Sequence, residues 1–371
     1  MEQLICRPKL YQFENAKAFA EAFSVGENDL ILTNRYLYEP FFGELSLRAQ
    51  LLYQEEFGMG EPTDTMVDAL IRAASEKSFR RLIAIGGGTV IDIAKVLAVA
   101  GDRNVDELYE KKDSLAKTVP LILIPTTCGT GSEVTNLSII NRTRLGVKMG
   151  LASEALYADY AVLIPQLLTR LPLSVFAPSS IDALVHAVES ALSPKATAYT
   201  RLLSERSMEL LIGGFQGLVR DGLDRLPERV GDFLIASNMA GLAFGTAGCG
   251  AVHALSYPLG GAYHVPHGES NYALFTGVLR KYREKKDDGA LHWLNEKLAG
   301  LLDCTPDTAY KSLEKLLNQI LPKKALHEYG VKPEELEAFT DSVLATQGRL
   351  MANNFTPLTR DDVLDIYQNL F

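Results

Sequence analysis

Four of the chain's six histidines fall in two short stretches. His186 ends the run Ser180-Ile181-Asp182-Ala183-Leu184-Val185-His186. His253, His264 and His267 lie in a segment punctuated by Pro258, Gly260, Gly261, Pro266 and Gly268. Asp182 and His186 are four residues apart, a spacing that places both on one face of a helix. One carboxylate and three imidazoles from two segments suit a borderline divalent cation. Each residue alone has a plainer explanation. Ser179-x-x-Asp182 has the form of a capping box at a helix start, and a histidine can be a satisfied core residue. Together they point elsewhere. The helix around Asp182 buries Ile181, Leu184, Val185 and Val188, so Asp182, His186 and Glu189 must line something polar that compensates their charge.

A second chemical signal lies upstream. Ile83-Ala84-Ile85-Gly86-Gly87-Gly88-Thr89-Val90-Ile91-Asp92 sets three glycines between a strand and a helix. Glycines let a pyrophosphate approach the backbone, and the helix that follows offers free N–H groups and the positive end of its dipole. The spacing is not G-x-G-x-x-G, and a bare glycine triplet also fits a tight turn. Thr126-Thr127-Cys128-Gly129-Thr130-Gly131-Ser132-Glu133 follows another strand with hydroxyls and glycines packed together. Two such loops at neighbouring strand ends face one crevice, where open α/β sheets bind ligands. The pair favours a dinucleotide, and with the donor set downstream it points to metal-assisted redox chemistry.

The elements that must position these groups divide the chain in two. Asp29–Thr33, Phe79–Ile85 and Val119–Ile124 read as strands, and Tyr160–Pro165 as the last one. Helical patterns over 63–77 and 90–100 alternate with them, which predicts an α/β Rossmann-like domain with a parallel sheet over residues 1–171. Beyond it long helical periods dominate: 180–192, 200–219, 226–243, 306–320 and 333–353. They predict an all-helical domain over 172–371 that carries the metal and substrate groups.

Composition bounds the partners. The 371 residues are 47% hydrophobic and 22% charged, as in an ordinary globular protein. No apolar run reaches membrane-span length, and Met1-Glu2-Gln3-Leu4-Ile5-Cys6-Arg7-Pro8 has no form of a secretory leader. The net charge of −9 without basic blocks disfavours nucleic acid. Cys6, Cys128, Cys249 and Cys304 form no C-x-x-C pair, which argues against disulfides or a zinc ribbon and fits a reducing cytoplasm.

These motifs resemble the iron-containing, or group III, alcohol dehydrogenases over nearly the whole chain. The resemblance rests on Gly86 to Asp92, on Pro125 to Thr135, on Asp182 to Glu189, and on His253 through Pro258-Leu259-Gly260-Gly261 to Val265-Pro266-His267-Gly268. It implies a Rossmann-like domain followed by a helical one, homodimers or higher homo-oligomers, and a metal held by Asp182, His186, His253 and His267. It places Gly86, Gly87 and Gly88 at the pyrophosphate, Asp92 near the nicotinamide, Thr126, Thr127 and Thr130 near the cofactor, and Lys148 near its ribose. Within the family the chain is most similar to the 4-hydroxybutyrate dehydrogenases, which implies a hydroxyacid or semialdehyde substrate. The supporting segments are Ile31-Leu32-Thr33-Asn34, Val134-Thr135-Asn136, Gly250 to Pro258 and Gln347 to Asn354.

Three positions depart from the wider family. Tyr257 replaces a histidine often given a proton-transfer role, which leaves Tyr257, His264 or water as the proton route. Asn34, followed by Arg35, replaces an acid that excludes a 2′-phosphate; NAD is favoured, and its selection is expected to be incomplete and to sharpen in Asn34→Asp. Asn353-Asn354-Phe355 stands where Asn-Pro-Arg is usual.

Hydride transfer to a nicotinamide is eased by a Lewis acid at the alcohol oxygen. One Asp and three His allow Fe(II), which the family favours, or Zn(II). A hydroxyacid also needs a cation for its carboxylate. Arg349 is the candidate, with a surface ion pair as the plainer alternative, and Phe244, nine residues before His253, is expected to line the pocket. Competing readings are a neutral substrate (a butanol, propanediol or lactaldehyde type), a dehydroquinate-synthase-like metal and NAD lyase, and a non-catalytic nucleotide-binding protein.

Overall fold

Unbroken apolar runs bounded by turns form strands covered on both faces, and here they build a parallel sheet. The computed structural model describes residues 2–371. The first elements are β1 (Lys9–Gln12), α1 (Ala16–Ala22), β2 (Asp29–Thr33), α2 (Arg35–Phe42), β3 (Gln50–Tyr53), α3 (Asp64–Ser75), β4 (Arg81–Gly86), α4 (Gly88–Ala100) and α5 (Val105–Glu110). They are followed by β5 (Leu121–Pro125), β6 (Leu137–Arg142), β7 (Val147–Ala152) and β8 (Tyr160–Leu163). Six strands lie in the order β1-β8-β5-β4-β2-β3 with every pair parallel, and β6 and β7 form a separate antiparallel ribbon. From β2 the chain moves outward to β3 and then returns to β4 on the other side of β2. The carboxyl ends of β2 and β4 therefore flank a switch point, the ligand position of such sheets. Thr33 Oγ1 donates to Ile85 O across it at 2.8 Å.

The remaining elements are helical: α6 (Leu173–Leu192), α7 (Ala198–Asp221), α8 (Leu226–Ala247), α9 (Ala251–Tyr263), α10 (His267–Lys285), α11 (Gly289–Leu302), α12 (Ala309–Leu317), α13 (Leu336–Thr346), α14 (Gly348–Met351) and α15 (Arg360–Asn369). One compact unit comprises Cys6–Thr127 with Gly131–Leu171; the other comprises Pro172–Phe371 with Cys128–Thr130 and the N-terminal residues through Ile5. The sheet unit ends at Leu171, and two short segments from before it group with the helical unit.

Several expected boundaries move. α6 starts at Leu173 and keeps Pro178 inside it, so Ser179 is interior and Asp182 is not a capping residue. The segment expected to be broken by Pro258, Gly260 and Gly261 is helical throughout as α9, and Pro266 immediately precedes α10. α10 and α11 were not read as helices. Among the described residues no single helix is long and apolar enough to cross a membrane.

One buried polar network holds the sheet unit's upper loops. Lys95 on α4 is fully buried and donates to Ser132 Oγ at 2.6 Å, Thr135 Oγ1 at 3.1 Å and Leu137 O at 2.7 Å. Asp92, one turn earlier, accepts from Ser132 Oγ and from Ile139 N at 2.8 Å, with Lys95 Nζ 3.5 Å away. Burial lowers the Lys95 pKa, and Asp92 and Glu133 work against that. Lys95→Met should leave Asp92 and several acceptors without their cation. Unfolding by urea should show a loss of about 3–5 kcal/mol, the usual cost of breaking a buried pair from one side; a variant as stable as the parent would mean the network is not structural.

Candidate active site

The helical unit gathers its titratable side chains on α6. Asp182, His186 and Glu189 repeat at helical spacing on one face, and all three are buried. The start of α9 meets this face: Val252 N donates to Glu189 Oε1 at 2.6 Å, and His253 Nδ1 donates to Glu189 Oε2 at 2.6 Å. α10 brings the rest. His267 is its first residue, and Asn271 one turn later donates to Asp182 Oδ1 at 2.7 Å. Gly268 permits the approach, because a Cβ there would collide with the Pro178 carbonyl of α6.

Four donors converge. Asp182 Oδ1 lies 3.7 Å from His253 Nε2 and 3.9 Å from His267 Nε2, and His186 Nε2 lies 3.0 Å from His253 Nε2. Ligand atoms about 2.0–2.2 Å from one ion stand roughly 3–3.5 Å apart; Asp182, His253 and His267 bring ligand atoms within 4.8 Å of one another, and His186 groups with His253 and Cys249 in the same way. The hydrogen-bond partners decide the tautomers. A carbonyl only accepts, so the contact of His186 Nδ1 with Gly129 O at 3.2 Å makes that nitrogen the N–H and leaves a lone pair on Nε2. Glu189 does the same to His253, and the two lone pairs then face each other. Only a positive charge resolves this: a proton, or a metal ion in its place. Burial, against the pull of Asp182, pushes the His186 imidazole down to about 3. Burial also opposes charge on His253, but Cys249 and Glu189 beside it outweigh that and raise its pKa. Orientation of each ligand through its second nitrogen is what a metal centre needs, and the residues fit one.

Phe244 lies flat on His186, ring centroids 4.2 Å apart. The Tyr257 ring is 6.3 Å from that of His267. α9 carries Pro258 within it, which weakens the preceding turn, and the Tyr367 hydroxyl of α15 donates to the Leu255 carbonyl there at 2.7 Å. His264 is exposed and ends α9 in a left-handed conformation, φ 55°; no hydrogen bond or ion pair joins it to the donors. Arg349 is exposed on α14, and its side chain makes neither a hydrogen bond nor an ion pair among the described residues. Cys249, four residues before His253, brings its thiol close to His186 and His253.

In the sheet unit, Gly86 and Pro125 pair at the ends of β4 and β5. The first turn of α4 has no side-chain cap, so its N–H groups remain available to an anion. Gly86 leaves room for Val90, and Gly87 lies against Thr127. Thr126 is buried and Thr127 half-buried beside this turn, while Thr130 falls in the segment that joins the helical unit. Three expected cofactor contacts are engaged by the protein. Asp92 accepts from Ser132 Oγ and Ile139 N and so fastens the loop that follows. Lys148 donates to Glu61 at 2.7 Å, and Asn34 is buried and donates to Gln54 and Glu55.

Comparison with known proteins fits this geometry. Residues 10–165 match the iron-containing alcohol dehydrogenase family and residues 176–371 match its C-terminal region. A 4-hydroxybutyrate dehydrogenase of Clostridium kluyveri is 47% identical over 371 residues, covering 100% of both chains. The chain belongs to the iron-containing alcohol dehydrogenase family. A long-chain-alcohol dehydrogenase of Geobacillus thermodenitrificans is 34% identical over 84% of this chain and 80% of its own length. The fold is that of a sulfoacetaldehyde reductase of Bifidobacterium kashiwanohense solved with NAD+ (TM-score 0.85, 22% identity, 100% of this chain and 98% of that one). It is also that of a 1,3-propanediol oxidoreductase (TM-score 0.83, 22% identity, 100% of both). This alcohol dehydrogenase is an oxidoreductase of alcohols and aldehydes, and the lyase and non-catalytic readings fall away.

Asn271 escaped the sequence reading because its signal, a polar residue four after His267, exists only once that stretch is known to be helical. Glu189→Gln should keep the Val252 contact while removing the charge behind His253. Metal affinity, measured by competition with a chelator, should fall roughly ten- to a hundredfold; an unchanged affinity would sever Glu189 from the centre.

Proposed function

We propose that this enzyme interconverts 4-hydroxybutyrate and succinate semialdehyde with NAD(H), using Fe(II) held by Asp182, His186, His253 and His267. The observation that carries the substrate is the full-length 47% identity to a 4-hydroxybutyrate dehydrogenase. The donor set supports the metal: one buried carboxylate and three imidazoles, two of them oriented through their outer nitrogens. When bound, the metal supplies Lewis acidity at the substrate oxygen. The chain's own residues do the rest. Gly86, Gly87 and Gly88 with the first turn of α4 receive the pyrophosphate, and Thr126 and Thr127 line its neighbourhood. Phe244 walls one side of the His186 ring. Tyr257, its ring 6.3 Å from that of His267, is the hydroxyl proposed to hold a proton.

Arg349 is proposed to take the substrate carboxylate. It has no acidic partner among the described residues, and its helix packs on α9, which bears His253 and Tyr257. A charge-assisted hydrogen bond contributes roughly 1.5–3 kcal/mol. Arg349→Ala should therefore lower kcat/KM for succinate semialdehyde roughly ten- to a hundredfold and leave butyraldehyde reduction nearly untouched. NADH oxidation with both aldehydes makes the comparison. Equal losses would take Arg349 out of the pocket, and a parent enzyme that prefers butyraldehyde would overturn the substrate reading.

A further inference from the structure

The acid missing from the end of β2 has a counterpart on the neighbouring strand. We propose that Glu55, two residues beyond β3, selects NAD(H) against the 2′-phosphorylated dinucleotide. This rests on the reading that the switch point of the sheet takes the cofactor. Glu55 is half-buried. Its Oε1 accepts from Arg35 N, the first N–H of α2, at 2.7 Å, and its Oε2 accepts from Asn34 Nδ2 at 2.8 Å. The second Asn34 N–H goes to Gln54 Oε1 at 3.1 Å. A free helix start and a side-chain amide at this strand end would be donors for a phosphate, and here a carboxylate occupies both.

The neighbouring cation does not alter the balance. The Arg35 guanidinium pairs with Glu56 at 2.9 Å and Glu39 at 3.6 Å, and it lies over the Tyr53 ring at 4.1 Å. One cation thus stands among Glu39, Glu55 and Glu56. A 2′-phosphate would have to displace Glu55 from two donors and enter a net negative field, whereas a ribose hydroxyl can donate to the same carboxylate. Asn34 is then a holder of Glu55. This reverses the expectation from sequence: Asn34→Asp would set a carboxylate against Glu55 and remove its amide donors.

The test is direct binding, read by the fluorescence of NADH and NADPH titrated with the purified protein. In Glu55→Gln the ratio of the NADPH to the NADH dissociation constant should fall roughly ten- to a hundredfold, as expected for removing a like charge at close range. A residue that only caps α2 would weaken both dinucleotides alike, and an unchanged ratio overturns the proposal. The unsubstituted protein gives a second measurement should the variant not fold. Salt screens repulsion between charges, so added salt should improve NADPH relative to NADH. A relative loss of NADPH with salt would mean attraction by Arg35 and would also overturn it. Failure of both dinucleotides to bind the parent would overturn the NAD(H) reading and this proposal with it, an outcome distinct from an unchanged ratio.

Discussion

Two imidazole nitrogens 3.0 Å apart cannot both turn lone pairs on each other without a positive charge between them. The Gly129 carbonyl and the Glu189 carboxylate impose this arrangement on His186 and His253. The centre is therefore poised for a cation before any cation arrives. Much of the helical unit serves this constraint. α6 devotes one face of an otherwise apolar helix to Asp182, His186 and Glu189. α9 begins where Glu189 can take Val252 N and His253 Nδ1 together. α10 begins with His267 and then with a glycine, so that His267 and Asn271 can reach Asp182 past the backbone of α6. Protons and metal compete for the same nitrogens in such a site, so metal affinity and pH are linked by construction.

The sheet unit solves a different problem. The first turn of α4 carries no side-chain cap, so its loop is not anchored by capping its own helix. Anchorage comes from below instead. Lys95 reaches up inside α4 to the segment after the hydroxyl-rich loop, and Asp92 grips the same segment. The glycine turn thus stays open while what surrounds it is fastened through a buried ion pair.

Much of this was legible in the residues. Period and punctuation located the sheet strands at Asp29, Arg81, Leu121 and Tyr160 to within two residues, because buried parallel strands are apolar throughout. β1 and β3 were not read, since each is only four residues long and one is fully exposed. Helix boundaries were lost at prolines. Pro178 and Pro258 are breakers by propensity, yet packing on neighbouring helices holds both inside regular structure. Residue types named the donors, but the groups that orient them are invisible in one dimension. Gly129 acts through a carbonyl any residue has, and Glu55 acts through a strand pairing that joins positions 34 and 55.

The hydroxyl of Tyr367 bonded to the Leu255 carbonyl has a consequence for biosynthesis. Pro258 opens the turn between His253 and Tyr257, and the group that closes on it comes from α15, the last helix of the chain. Synthesis proceeds from the N-terminus, so the donor-bearing stretch of α9 emerges from the ribosome well before its partner does. The glycine loop before α4, in contrast, finds its anchors within a few dozen residues. The helix bearing His253 and Tyr257 thus gains this contact only once α15 has been made.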